Sequence, residues 1–240
     1  MTIVKICGIT TPADARAAAE AGADMLGVNL WPGSSRFVSR ETARAIRDAV
    51  DGGPTLVALF VDADGEEIAE ALAQTRIAHA QLHGPVPAGL RPFIRAAAPG
   101  DMADTDASWL LLDAHVPGQR GGTGRTFDWT LARPFAARRP VMLAGGLSPA
   151  NVAKAIATSG AQAVDVCSGV EQAPGVKDHA AVRAFVCAAH SVMPPEAGIS
   201  ATRSAGSPPT RPETPDVACP ERLPQAGSQR AGVTLMAARP

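Results

Sequence analysis

Residues 141–170 read VMLAGGLSPANVAKAIATSGAQAVDVCSGV, and this stretch decides the fold. Two short apolar runs, Val141 to Ala144 and Ala163 to Cys167, have the length and composition of buried β-strands. The Ala-rich segment between them, Pro149 to Thr158, begins with a proline and ends close to a glycine, as helices often do. The stretch therefore predicts a βαβ unit, in which a helix joins two parallel strands.

The same alternation of short apolar runs and Ala-rich segments continues along the rest of the chain. The predicted strands are Ile3 to Cys7, Met25 to Leu30, Leu56 to Val61, Ile77 to Leu82, Phe93 to Ala96, Trp109 to Asp113, Val141 to Ala144 and Ala163 to Cys167. The predicted helices are Thr11 to Ala21, Ser39 to Val50, Gly65 to Gln74, Phe127 to Ala137, Pro149 to Thr158 and Lys177 to Ala189. Eight strands favour a single (β/α)₈ TIM barrel of the α/β class. An open doubly wound sheet is the alternative, but the turn after the first strand is not the G-x-G-x-x-G loop that such sheets often carry.

The composition changes near residue 190. Residues 191–240 contain nine Pro and four Gly, but only six residues of Leu, Ile, Val or Phe and no aromatic residue. Proline interrupts helices and central strands, and so few large apolar side chains cannot offset the entropy of ordering. We therefore predict one catalytic barrel domain at 1–190, followed by a disordered tail at 191–240.

Composition also argues against several classes of protein. The net charge is −1 and shows no basic patch for nucleic acid, and the four Cys form no C-x-x-C pair. No apolar run approaches the roughly 18 residues of a membrane-spanning helix, and the N-terminus does not resemble a signal peptide. His79 and His83 cannot share a metal, because four residues of a strand span about 13 Å. We expect a cytoplasmic protein without a metal site, a nucleic-acid partner or a membrane partner.

The carboxyl ends of the strands are where a barrel of this kind carries its chemistry. In the first strand, alternation places Lys5 and Cys7 on one face, and Val4 and Ile6 on the face that suits the helices. An ammonium inside the barrel would stabilise a Cys7 thiolate as base or nucleophile, although a lone strand Cys is more often a small buried apolar residue. Asp113, at the end of the sixth strand, could donate a proton or cap the following loop.

Glycine turns follow the seventh and eighth strands. Gly145 and Gly146 come after the seventh strand, and Ser168 and Gly169 come after the eighth. Many barrels bind a phosphate group at these two loops, through backbone N–H groups and a helix N-terminus. A further Gly-rich segment, 121–124, is expected to approach a ligand or to move as a lid. The two turns predict a phosphorylated substrate.

Together, these motifs resemble the phosphoribosylanthranilate isomerase family of tryptophan biosynthesis. The resemblance extends from Val4 to about Phe185, with several motifs in one order. The motifs are KICGIT (5–10), QLHG (81–84), LLD (111–113), GGTG (121–124), FDW (127–129), LAGGL (143–147), VDVCSGVE (164–171) and GVKD (175–178).

The resemblance implies a cofactor-free Amadori rearrangement. N-(5-phosphoribosyl)anthranilate, an aminoaldose, would become the aminoketose 1-(2-carboxyphenylamino)-1-deoxyribulose 5-phosphate. The family pattern assigns the base to Cys7 and the acid to Asp113, and it implies phosphate binding at the two glycine turns. It also implies that Arg36 holds the anthranilate carboxylate and that His83 and Asp165 contact the substrate. From the residues alone, Arg36 could also be a surface charge and Asp165 a structural group.

The sequence departs from the family pattern at two positions. Ser35 stands where a Pro is expected before the arginine, and Cys167 stands where a Ser is more usual.

A ribulose-phosphate epimerase is an alternative enzyme, which would need His and Asp metal ligands at several strand ends. A phosphosugar-binding barrel without activity is another alternative, which would not need Cys7 and Asp113. A monomer or a homodimer is expected.

Overall fold

The computed structural model describes residues 1–98, 106–113 and 126–192. Its barrel strands are β1 (Ile3–Ile6), β2 (Met25–Asn29), β3 (Thr55–Val61), β4 (His79–His83), β5 (Phe93–Ala97), β6 (Trp109–Leu112), β7 (Val141–Leu143) and β8 (Ala163–Val166). Each strand pairs in parallel with the next along the chain, and β1 pairs with β8 to close the barrel. The predicted TIM barrel is confirmed, and the open sheet is excluded.

Within the described ranges, the α-helices are α1 (Pro12–Glu20), α2 (Arg40–Ala49), α3 (Gly65–Thr75), α4 (Arg133–Ala136), α5 (Val152–Ser159) and α6 (His179–His190). Two 3₁₀ helices, Trp129–Ala132 and Ser168–Val170, complete the helical elements there, and none of the helices is long and apolar enough to cross a membrane. The residues predicted to begin α1 and α2, Thr11 and Ser39, are the N-caps one residue before each helix, and their side chains accept hydrogen bonds from backbone N–H groups of the first turn. The predicted helix from Phe127 to Ala137 is instead a 3₁₀ turn followed by one short α-helix.

The predicted start of α5 at Pro149 is wrong by three residues, since the helix begins at Val152. The Ser148 N–H donates to the Asn151 side chain at 2.8 Å, and the Asn151 amide donates to the Gly146 carbonyl at 2.9 Å. Residues 149–151, predicted as the first turn of the helix, instead belong to this hydrogen-bonded turn before it.

The predicted start of the last helix at Lys177 is also wrong. Lys177 lies in a two-stranded hairpin formed by β9 (Glu171–Ala173) and β10 (Val176–Lys177). The Asp178 side chain accepts from two backbone N–H groups and begins α6 at the next residue. The helix ends at His190, and residues 193–240 of the predicted tail lie outside the described residues, so the domain boundary stays a prediction. The Gly-rich segment 121–124 lies outside them as well.

Two apolar layers cover the two faces of the barrel strands. The outer layer, between sheet and helices, includes Val4 and Ile6, as the alternation predicts. The inner layer lies inside the barrel, away from the carboxyl ends of the strands, and includes Met25, Ile94 and Met142. Polar side chains replace these apolar residues towards the carboxyl ends of the strands, and this change of lining positions the candidate site.

Candidate active site

A buried ion pair lies inside the barrel between β1 and β8. The Lys5 ammonium is fully buried and lies 2.9 Å from Oδ1 of Asp165. The two residues are directly opposite each other in the strand register. Burial opposes the charge on Lys5, but the Asp165 carboxylate and the nearby Cys7 outweigh it and raise the lysine pKa. Asp165 is therefore the partner of a charged lysine, and its predicted contact with the substrate stays a prediction.

Cys7 lies two residues after Lys5, on the same face of the chain, and the pKa of its thiol is shifted. The Cys167 thiol donates a hydrogen bond to the Cys7 sulfur, burial opposes ionisation, and the Lys5 ammonium favours it. The net effect lowers the pKa of Cys7 from 9.0 to about 7. The pKa of Cys167 is raised, because the Cys7 thiolate holds its proton and because the side chain is buried. Cys7 is thus about half ionised at neutral pH, with Cys167 as its neutral donor.

Two glycines leave the space that these sulfurs occupy. A Cβ at Gly27 would lie 2.8 Å from the Cys7 Sγ and 3.0 Å from the Lys5 Nζ. A Cβ at Gly8, whose φ is +71°, would lie 2.8 Å from the Cys167 Sγ. Any larger residue at either position would displace the thiols from each other or from the lysine.

Arg36 lies at the mouth of the barrel, over Gly8 and beside the thiol pair. Its Nη2 lies 2.7 Å from Oε2 of Glu171, and its Nε lies 3.3 Å from both carboxylate oxygens. The Lys177 Nζ lies 2.8 Å from Oε1 of the same carboxylate, and the Glu171 side chain is only 3% exposed. The Arg36 side chain is 16% exposed, so it is not a solvated surface charge. Glu171 therefore binds the Nε and Nη2 edge of the guanidinium and does not contact Nη1.

Sequence reasoning gave Glu171 and Lys177 no role in the site. They meet because the β9–β10 hairpin folds back on itself, whereas the sequence placed Lys177 in a helix. The signal that could have found the hairpin is Gly175, whose φ is +83° in the turn between the two strands.

The predicted acid, Asp113, follows β6 directly. Its N–H donates to the Ala97 carbonyl at 3.2 Å, which continues the strand pairing to the rim of the barrel. In the barrel order, β6 is three strands from β1 by way of β7 and β8. Cys7 and Asp113 therefore reach the mouth of the barrel from well-separated strands.

His83 ends β4 and faces into the barrel. Its Nε2 lies 3.0 Å from the side-chain nitrogen of Gln81, two residues earlier on the same face. The Gln81 Oε1 is buried and meets no hydrogen-bond donor among the described residues. His83 lies on a strand, as the sequence predicted, and its contact with the substrate stays a prediction. Within residues 1–98, 106–113 and 126–192, no three His, Cys, Asp or Glu side chains converge in the way that metal ligands do.

The two glycine turns lie against each other at the ends of β7 and β8. A Cβ at Gly169 would lie 1.9 Å from the Leu147 carbonyl oxygen, so only glycine allows the loops to meet. Gly145 and Gly146 have φ values of +83° and +63°. Among the described residues, no acceptor meets the N–H groups of these two glycines. Together with Ser168, which begins a 3₁₀ helix, the turns form a backbone-lined corner that suits an anion.

The model of the family described as N-(5'-phosphoribosyl)anthranilate (PRA) isomerase matches residues 4–188. The N-(5'-phosphoribosyl)anthranilate isomerase of Neisseria meningitidis serogroup B is 43% identical over 199 residues, covering 78% of this chain and 95% of the relative. The crystal structure of phosphoribosyl anthranilate isomerase from Thermus thermophilus is similar with a TM-score of 0.71 and 38% identity, covering 79% of this chain and 98% of that one. A phosphoribosyl anthranilate isomerase in complex with reduced 1-(o-carboxyphenylamino)-1-deoxyribulose 5-phosphate has a TM-score of 0.69 and 33% identity, covering 80% of this chain and 100% of that one. The chain belongs to the N-(5'-phosphoribosyl)anthranilate isomerase family.

Proposed function

We propose that Cys7 is the general base and Asp113 the general acid of the isomerisation. The chain is an isomerase of tryptophan biosynthesis that converts N-(5'-phosphoribosyl)anthranilate to 1-(2-carboxyphenylamino)-1-deoxyribulose 5-phosphate. The observation that carries the assignment is the Cys7 thiol, whose pKa is lowered to about 7 at the carboxyl end of a barrel strand. A base with a pKa near the working pH combines ionisation with proton affinity.

The first step opens the ribose ring and needs an acid. Asp113, in its protonated form, donates to the ring oxygen while the bond between that oxygen and C1′ breaks. The anthranilate nitrogen supplies the electron pair, so that an iminium ion forms at C1′. The aspartate becomes a carboxylate in this step and can accept a proton later in the cycle.

The second step removes the proton from C2′, which the iminium ion has made acidic. The Cys7 thiolate takes this proton, and the electron pair moves to form an enolamine between C1′ and C2′. The enolamine then gains a proton at C1′ and loses the hydroxyl proton at C2′, which leaves the ketone. No proton or electron is gained overall, so the residues that the chain supplies suffice for the reaction.

Substrate binding is proposed for the remaining site residues. Arg36 would donate hydrogen bonds to the anthranilate carboxylate from the end of its guanidinium that Glu171 does not hold, because the fork geometry suits a carboxylate. The corner formed by the loops after β7 and β8 would bind the phosphate through backbone N–H groups. His83 and Asp165 would contact the polar middle of the substrate between these two ends.

The location and assembly of the protein are proposed from the sequence. We place the protein in the cytoplasm as a monomer or a homodimer, acting on a small phosphosugar without nucleic acid or a cofactor. Sedimentation velocity on the full chain measures the assembly state directly, and a mass larger than a dimer would contradict this proposal.

The decisive experiment follows the fluorescence of phosphoribosylanthranilate that is generated in the cuvette. The full chain should accelerate the decay of this fluorescence in a buffer that contains a metal chelator. Asp51→Asn is a charge-matched control for Asp113→Asn, because the Asp51 side chain is 66% exposed at the end of α2, where it pairs with Arg47. Equal losses in both variants would argue against the role of Asp113.

A further inference from the structure

Cys7 and Cys167 lie side by side on adjacent parallel strands. The register pairs Ile6 with Val166, and the Cys7 N–H donates to the Val166 carbonyl at 2.8 Å, which continues the pairing by one residue. Adjacent strands lie about 4.8 Å apart. This spacing falls within the roughly 4.4–6.8 Å between the Cα atoms of a disulfide, and both side chains point to the inner face.

Both thiols are free, and each shifts the pKa of the other. Hydrogen bonding from the Cys167 side chain lowers the pKa of Cys7. The residues beside the two sulfurs are small: a Cβ at Gly27 would lie 2.8 Å from the Cys7 Sγ, and a Cβ at Gly8 would lie 2.8 Å from the Cys167 Sγ. Cys7 is 7% exposed and Cys167 is half-buried, at the mouth through which a substrate must enter. A molecule as small as hydrogen peroxide can reach the same place.

We propose that Cys7 and Cys167 are a redox pair, in which a peroxide oxidises Cys7 and Cys167 then closes a reversible disulfide across β1 and β8. The pair is a modification site distinct from the steps of the isomerisation. Its formation depends only on the two sulfurs and their register. The loss of activity that it causes rests on the proposed role of Cys7 as the base.

The chemistry balances in two steps. In the first, the Cys7 thiolate attacks one oxygen of hydrogen peroxide, the O–O bond breaks, hydroxide leaves, and Cys7 becomes a sulfenic acid by two-electron oxidation. In the second, the Cys167 sulfur attacks the Cys7 sulfur, an S–S bond forms, and the S–O bond breaks. The departing hydroxide takes the thiol proton as water. Two thiols and one peroxide therefore give one disulfide and two waters.

The surroundings of Cys167 favour the second step after the first has occurred. The anionic Cys7 sulfur holds the Cys167 proton in the reduced protein, and a neutral sulfenic acid no longer does so. The Lys177 Nζ, 3.9 Å from the Cys167 Sγ, then favours the thiolate. Oε1 of Glu171, at 3.6 Å, is placed to pass the thiol proton on to the departing hydroxide. Cys167 thus becomes reactive only when its neighbour has been oxidised.

The disulfide is tested by peptide mapping of the full chain. Wild type and Cys167→Ser are treated with hydrogen peroxide, free thiols are blocked with iodoacetamide, and the unreduced proteins are digested with trypsin. Cleavage after Lys and Arg places Cys7 in the peptide 6–16 and Cys167 in the peptide 155–177. We expect these two peptides to be joined in wild type, with a mass lower by two hydrogens than their sum.

Activity is measured on the same samples before and after treatment with dithiothreitol, each relative to its own untreated protein. Wild type should lose activity in proportion to the joined peptides and regain it on reduction. Cys167→Ser has no second thiol beside Cys7, so its Cys7 should proceed to the sulfinic acid and its activity should not return. Cys167→Ala gives the same test without a hydroxyl.

Peroxide-inactivated wild type without the joined peptides would overturn the proposal, and so would equal recovery in wild type and Cys167→Ser. The mapping of wild type does not depend on the folding of any variant. Joined peptides with full activity would instead refute the role of Cys7 as the base and leave the disulfide intact. The two proposals therefore fail in distinguishable ways.

Discussion

Replacing Cys167 with Ala removes the hydrogen bond that does most to keep Cys7 ionised. With the pKa of Cys7 near 7, about half of the thiol is ionised at pH 7. If the pKa returned to its ordinary value of 9.0, only about 1% would be ionised, which corresponds to a roughly 50-fold loss of activity at this pH. The Lys5 ammonium remains in the variant, so the expected loss lies between a few-fold and this limit.

The test is the pH dependence of kcat/KM, followed by the fluorescence decay from pH 5.5 to 10. Because the base must be deprotonated, the ionised fraction of wild-type Cys7 should rise about tenfold per pH unit below pH 7 and level off above it. In Cys167→Ala, this rise should move towards pH 9, so the ratio of its kcat/KM to the wild-type value should recover at high pH. The need for a protonated Asp113 is common to both proteins and cancels in this ratio. Cys167→Ser is the matched control, since its hydroxyl keeps a donor and its profile should stay closer to that of wild type.

A Cys167→Ala profile that coincides with that of wild type would refute the reasoning. A loss that persists at pH 10 would refute it as well, because a missing hydrogen bond to the thiolate can be overcome by raising the pH. Circular dichroism on each variant shows that any change arises in a folded barrel.

Three further predictions concern the acid, the base and the tail. Cys7→Ala and Cys7→Ser should each retain less than about a tenth of wild-type activity in a folded protein, because neither side chain supplies a thiolate. Asp113→Asn keeps the shape but cannot donate a carboxyl proton, so kcat should fall by about 10² with a smaller change in KM, whereas a fall in affinity alone would make Asp113 a binding residue. A chain ending at Val192, whose carbonyl accepts from the Thr2 hydroxyl, should keep the melting temperature and kcat/KM of the full chain. A decrease of several degrees would show that the tail packs on the barrel or on a partner.

Short apolar runs were enough to predict the eight strands. The side-chain period of two placed Lys5 and Cys7 on one face of the first strand. It did not predict that Cys167 donates to Cys7, since this contact depends on the register between the first and the last strand.

The hairpin that brings Lys177 to Glu171 was missed for a different reason. The residues after Lys177 form an amphipathic helix, and the apolar period did not show where that helix begins. The Asp178 side chain decides its start by accepting hydrogen bonds from the first turn. Because Asp178 caps the helix, Lys177 lies before its start, in the hairpin, where it contacts Glu171.

The ion pair between Lys5 and Asp165 joins residues that are 160 positions apart in the chain. During synthesis, the first strand leaves the ribosome long before its partner exists, and burying a lysine charge without a compensating charge costs a large free energy. The growing chain therefore has no stable way to close the barrel early. Arrival of β8 completes the sheet, neutralises the buried ammonium and brings the second thiol to Cys7 at the same moment. Assembly of the catalytic pocket is thus coupled to the end of domain synthesis, and fragments that lack β8 should expose β1 to chaperones.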